Sequence, residues 1–160
     1  MTDNYIQLNK KEELRLKIKT SEGELTGEEL VFDLNDIELP LIYQEMIYKI
    51  QKNKEKLHND FVVIDKREDI TGKKALSKNE EDKLKAYKEY LNKMTEAYDM
   101  FLGENGVKKI LNGRKLGWTT LDEIDEIIEK QISPQVLKSF NNIAERIINK
   151  YSTSDKEELK

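Results

Sequence analysis

The sequence predicts a mainly α fold, an amphipathic helical domain carrying a small N-terminal β-hairpin. Period-two alternation of apolar residues is confined to roughly the first 35 residues, and capped patterns of helical period follow it. Of the 160 residues, 38% are charged and 37% hydrophobic, against about 25% charged in typical globular domains. Such a balance suits helices with narrow apolar stripes and broad solvated faces, or a core completed by another subunit. The length fits one domain. We read residues 1–151 as that domain, with a hairpin region at 1–35, a helical region at 36–151, and a polar, frayed tail at 152–160.

Leu14, Leu16 and Ile18 alternate with Arg15, Lys17 and Lys19, which predicts a strand with one wet face. Ser21, Glu22 and Gly23 supply turn chemistry, and Leu30, Val31, Phe32 and Leu34 offer a second short strand after a connection containing Gly27. The period then changes. Asn35 or Asp36 can cap a helix whose first turn admits Pro40, because early helical N–H groups lack an intrahelical partner. Leu39, Ile42, Tyr43, Met46, Ile47 and Ile50 form its stripe, extended by Leu57 and Phe61, while the charged run 51–56 lies against water. Phe61-Val62-Val63-Ile64 either finishes this helix or makes a short strand.

A polar connection follows, which is expected to project from the body. Ser77 and Glu80 form a capping box at the start of the next helix. There Leu84, Tyr87, Leu91, Met94, Tyr98 and Phe101 recur at spacings of three, four, three, four and three, the seam of a coiled coil or a close helical hairpin. It needs a partner surface, either the helix around 42–50 folded back antiparallel or another subunit. Gly103 and Gly106 punctuate its end, Val107 to Leu111 can add one turn, and Asn112-Gly113 makes another break. Thr120 and Glu123 predict a second capping box before Leu121, Ile124, Ile127, Ile128 and Ile132. Ser133-Pro134 then starts a last helix carrying Leu137, Phe140, Ile143, Ile147, Ile148 and Tyr151.

With 28 Lys and Arg against 32 Asp and Glu, the formal charge of -4 lacks the basic excess that non-specific nucleic-acid binding draws on. There is no cysteine, so disulfides, thiolate metal sites and a cysteine nucleophile are excluded. The opening lacks the apolar region of a secretory signal, and no run approaches the ~20 apolar residues of a membrane span. A soluble, intracellular chain with no membrane contact is expected.

Catalytic chemistry finds little to work with. His58 is the single histidine, too few for a zinc-binding pair, and reads as a surface residue. Asp33, Asn35 and Glu45 do not space as a calcium loop. The 103–109 segment lacks phosphate-loop spacing and carries Glu104 where an anion would approach. Asp122, Glu123, Asp125, Glu126 and Glu129 alternate with the isoleucine stripe and describe an exposed acidic face. No cofactor is expected, and the chain reads as a non-enzyme. The candidate self-association or partner surface comprises Tyr87, Leu91, Met94, Tyr98, Phe101 and Trp118; these aromatics can anchor a partner or fill the core. Self-association is expected from the low apolar content and the seam.

The stretch 97–114, AYDMFLGENGVKKILNGR, resembles the tail assembly chaperones of long-tailed phages and prophages of Gram-positive bacteria. The residues carrying the likeness are Phe101, Leu102, Gly103, Glu104, Asn105 and Gly106, then Leu111, Asn112, Gly113 and Arg114. Order supports it: FDLNDIELP at 32–40, a charged helical middle with SKNE at 77–80, then the FLGENG and LNGR elements. The segment 116–120, LGWTT, departs from the aromatic segment expected after LNGR. The resemblance implies a helical, non-enzymatic assembly factor in the cytoplasm of a bacterial host. Such a factor binds the tape-measure protein, keeps its long apolar helices in solution, and helps tail-tube subunits gather. The alternatives are a tail-completion or connector protein retained in the particle, or a helical regulator acting through protein contacts.

Overall fold

A computed structural model describes residues 4–8 and 11–158, with side chains as far as Lys150. The chain is mainly α with a two-stranded antiparallel N-terminal hairpin. It forms two compact units. One combines the chain up to Leu41 with the chain from Asp125 onward, and the other is Ile42–Ile124.

In the first unit, β1 (Glu13–Lys19) pairs with β2 (Leu25–Asp33). Of the expected 1–35 hairpin region, residues 1–3 and 9–10 lie outside the described residues. Leu14 faces Phe32 and Leu16 faces Leu30, so the period-two pattern buries one face while Arg15 bridges Glu13 and Glu29 on the other. The turn is tighter than the sequence suggested. Gly23 N–H donates to the Thr20 carbonyl at 2.9 Å, and Gly23 takes φ +87°, which closes a three-residue hairpin loop. Gly27, expected in the connection, lies inside β2. From Lys17 to Lys19 is two steps along β1, facing four along β2 from Glu29 to Leu25. The surplus is a bulge that Gly27 accommodates at φ +84°. Thr26 hydroxyl donates across it to the Ile18 carbonyl at 3.0 Å. Leu34 falls just past β2, and its N–H still pairs with the Glu12 carbonyl at 2.8 Å.

Asp36 caps α1 (Glu38–Asp65), its carboxylate accepting from Glu38 N–H at 2.9 Å. In the turn ahead of it, the Asp33 carboxylate accepts from Asn35 N–H at 2.9 Å. The apolar run 61–64 finishes α1 rather than forming a strand.

In the second unit α2 (Lys78–Leu102) folds back on α1. Tyr43 meets Phe101 with ring centroids 5.3 Å apart, Asn53 reaches the Met94 sulfur at 3.9 Å, and Lys83 covers the Phe61 ring at 5.6 Å. Residues ascending in α1 meet residues descending in α2, the antiparallel arrangement expected of a helical hairpin. Met46, Met94, Ala97, Tyr98 and Phe101 are buried in this unit. Two details differ from the 3-4 seam. Leu84 is 55% exposed, whereas Tyr90, Ala97 and Leu102 are buried, because the stripe widens toward the C-terminal end of α2.

The connection between α1 and α2 is anchored at its ends rather than projecting freely. Ser77 caps α2 by accepting from Glu80 N–H at 3.2 Å, Asp69 accepts from Asn79 N–H at 3.0 Å, and Asn79 donates to the Ile64 carbonyl at 3.1 Å. Arg67 and Lys78 both reach Asp82, and Lys83 pairs with Asp65. The Ser77 hydroxyl, and then Asn79 N–H, hold the Asp69 carboxyl below its ordinary range; Lys78 does the same for Asp82, and Lys85 for Glu81. A carboxylate depressed in the folded state contributes stability above its ordinary pKa and loses it as pH falls through the lowered value. Acidification below about pH 4 is therefore expected to loosen this connection first. Hydrogen exchange at Ser77 to Asp82 should accelerate there before the α1–α2 interior does; simultaneous loss would contradict the local origin.

After α3 (Gly106–Leu111) and α4 (Trp118–Ile127), the backbone passes through a π-helical turn (Ile128–Ile132) into α5 (Ser133–Glu158). Two caps differ from expectation. Thr120 is not the N-cap of α4 but its third residue, its hydroxyl accepting from Gly117 N–H at 2.8 Å, and Glu123 faces Arg114 at 3.6 Å instead. Ser133 does not cap a separate helix either, since its φ and ψ are helical. Its N–H donates to the Ile128 carbonyl, five residues back, and its hydroxyl takes the bypassed Glu129 carbonyl at 3.2 Å. Pro134 explains the wider turn, having no N–H to offer and a ring that crowds the carbonyl four residues earlier. The tail expected over 152–160 continues the α5 backbone as far as Glu158; residues 159–160 lie outside the described residues.

No helix among the described residues is long and apolar enough to cross a membrane.

Candidate protein-interaction surface

The six residues singled out from the sequence separate into interior and surface. Met94 and Tyr98 are fully buried and Phe101 nearly so. They lie where α1 and α2 pack within the second unit, so of the two partner surfaces the seam allowed, the antiparallel α1 is the one these three side chains meet. Leu91 and Tyr87 are half-buried. Trp118, at the first position of α4, is 75% exposed, with its ring 6.4 Å from that of Tyr87. Leu84, one turn before Tyr87 on α2, adds a second exposed apolar side chain. The accessible part is therefore Leu84, Tyr87 and Trp118, with Leu91 at its edge.

Tyr87 is the polar point of this surface. Its hydroxyl is buried and, among the described residues, has no hydrogen-bond partner. Burial first, and the Asp122 carboxylate second, push its pKa above the usual phenol value, so the neutral form prevails. An unsatisfied buried hydroxyl costs about 1–3 kcal/mol. Tyr87→Phe is expected to raise stability by about 1 kcal/mol, read as a higher melting temperature. A lower one would show that the hydroxyl is paired in solution.

The FLGENG and LNGR elements build two successive helix ends. Phe101 and Leu102 are buried at the end of α2, and Gly103 takes φ +99° while its N–H returns to the Asp99 carbonyl. Glu104 is exposed, and Asn105 sits in the left-handed region at φ 57°. Gly106 opens α3 so close to α2 that an added Cβ would stand 2.5 Å from Leu102 Cβ. Leu111 closes α3, Asn112 at φ 47° and Gly113 at φ 87° turn the chain, and Arg114 N–H donates back to the Leu111 carbonyl at 3.0 Å. Sequence reading missed Asp99. Its carboxylate accepts from Val107 N–H at 2.9 Å, tying the end of α2 to the start of α3. The signal was an acidic residue four positions before Gly103, on the helix that the turn must fold against.

Charge elsewhere is locally balanced. A groove of about 260 Å³ is bordered by Lys49, Lys52 and Lys93, but each lysine pairs with a glutamate, at 3.6, 3.8 and 3.5 Å. On the acidic face Glu126 pairs with Lys130, which lowers its pKa. His58 is exposed on α1. Among the described residues no three His, Cys, Asp or Glu side chains gather as a metal site. No protein-family model matches the sequence, and neither a curated protein nor a solved structure is significantly similar to it.

Proposed function

We propose that the protein is a tail assembly chaperone of a long-tailed phage or prophage, acting without enzymatic chemistry in the cytoplasm of a bacterial host. It binds and solubilises the tape-measure protein and helps recruit tail-tube subunits. The observation that carries this reading is the resemblance of the 97–114 segment. A role in protein contact is supported by Trp118 beside Tyr87 and Leu84, because an exposed indole steadied by a neighbouring ring offers large contact area at low rotamer cost. Apolar helices of a client are covered by such contacts in the helix-in-groove manner. The charged exterior keeps the assembly dissolved.

Coexpression tests the proposal. The tape-measure protein of the same phage should be insoluble alone, soluble with this chain, and recovered in a complex free of nucleic acid. Trp118→Ala should leave stability within about 0.5 kcal/mol, since it removes an exposed side chain, while client recovery falls. If the tape-measure protein stays insoluble beside the folded wild-type chain and tails assemble without it, the assignment is wrong. Stoichiometric retention in purified particles would instead favour a structural tail component.

A further inference from the structure

We infer that α5 is a self-association surface, pairing antiparallel with the α5 of a second copy across Phe140 and Ala144. This does not rest on the chaperone reading. The α2 seam, where the sequence placed self-association, is closed by α1 within one chain. Among the described residues, a further apolar stripe left open is on α5. One flank of that helix is covered within its own unit: Val136 is buried, Val136, Phe140 and Ile143 border a cleft against Leu34, Leu39 and Pro40, and Ser139 hydroxyl donates to the Leu34 carbonyl at 2.9 Å. The adjoining flank is open, with Leu137 41%, Phe140 46%, Ile147 52% and Ile148 63% exposed.

Leu137, Phe140, Ala144 and Ile147 are spaced three, four and three apart, which places them on one seam of a helix packing lengthwise against another. The order of sizes selects the occupant and its direction. A parallel pair would set Phe140 against Phe140 and leave a void at Ala144. An antiparallel pair centred on Asn142 sets each Phe140 against the other copy's Ala144, large against small, and pairs Leu137 with Ile147, two aliphatic side chains of equal size, at the two ends of the seam. That complementarity is the stripe with itself, as a two-fold interface requires. The area agrees. The open parts of these side chains, with exposed Ile37 beside Phe140 on the same cleft, leave on the order of 500 Å² uncovered per copy, within the range of roughly 300–600 Å² for the largest patch of a monomer. A symmetric pair would bury about 1,000 Å², where specific interfaces begin.

Sedimentation of the full chain tests this. Wild type should dimerise reversibly at micromolar concentration, and Phe140→Glu should raise the dissociation constant about a hundredfold or more while circular dichroism stays unchanged. Ile148→Lys, at the outer edge of the seam, should weaken the dimer without unfolding and stands in if Phe140→Glu fails to fold. Because the chain has no cysteine, Asn141→Cys, beside the two-fold axis, should cross-link on mild oxidation. Leu137→Cys, about 15 Å along the axis from its own symmetry mate, should not. A wild type that stays monomeric, a dimer unaffected by both charged variants, or cross-linking at 137 but not at 141 would each overturn the proposal.

Discussion

Tyr98→Ala is expected to destabilise the protein by about 3–5 kcal/mol, the range for removing a large buried aromatic side chain. Tyr98 is fully buried in the α1–α2 hairpin, among Met46, Met94, Ala97 and Phe101. Truncation loses the transfer free energy of the ring and leaves a void between helices held by their own long side chains. A domain has only about 5–15 kcal/mol to lose, so the variant should melt far below wild type and show a much lower denaturant midpoint. Client binding would fail as a consequence of unfolding, in contrast to Trp118→Ala. A Tyr98→Ala protein that keeps its wild-type midpoint but loses binding would place this side chain at the surface and contradict the hairpin.

Gly106→Ala should cost about 2–3 kcal/mol, the usual scale of a forced overlap in a packed site. The new methyl would lie 2.5 Å from Leu102 Cβ, an atom fixed to the α2 backbone that cannot swing aside. Relief requires α3 to lift from α2, which strains the 2.9 Å bond between Val107 N–H and Asp99. Gly72→Ala is the control. Its Cβ would meet nothing within 4 Å and its φ lies outside the left-handed range, so stability should hold or rise by as much as about 1 kcal/mol through a less flexible unfolded chain. Equal melting temperatures for the two variants would mean that α3 is not held against α2 as described.

Much of the fold was legible because its signals are local. The alternation at 14–18, the cap at Asp36, the cap at Ser77 and the left-handed turn at Asn112-Gly113 each depend on residues within a few positions of one another. The errors also have local causes. Gly27 serves equally in a loop or a bulge, and only the strand opposite shows which. Thr120 offers a hydroxyl that can cap from either side of a helix start, and Ser133-Pro134 can open a helix or be absorbed by a π turn when the preceding residues stay helical.

The surface was the least legible part, because spacing reports which residues share a face and not what covers that face. Leu84, Met94 and Tyr98 belong to one periodic stripe, yet Leu84 is exposed while Met94 and Tyr98 are sealed. The sequence by itself determined the class of fold, the succession of strands, caps and helices, and the placement of charge toward water, all consequences of backbone geometry and hydrophobic period along the chain. The tertiary structure alone decided that α1 answers the α2 seam, that Asp99 reaches the start of α3, that the Tyr87 hydroxyl is shut in, and that Trp118 and the flank of α5 stay open. Those outcomes depend on which side chains meet across long separations in sequence, and burial is a property of the meeting rather than of either partner.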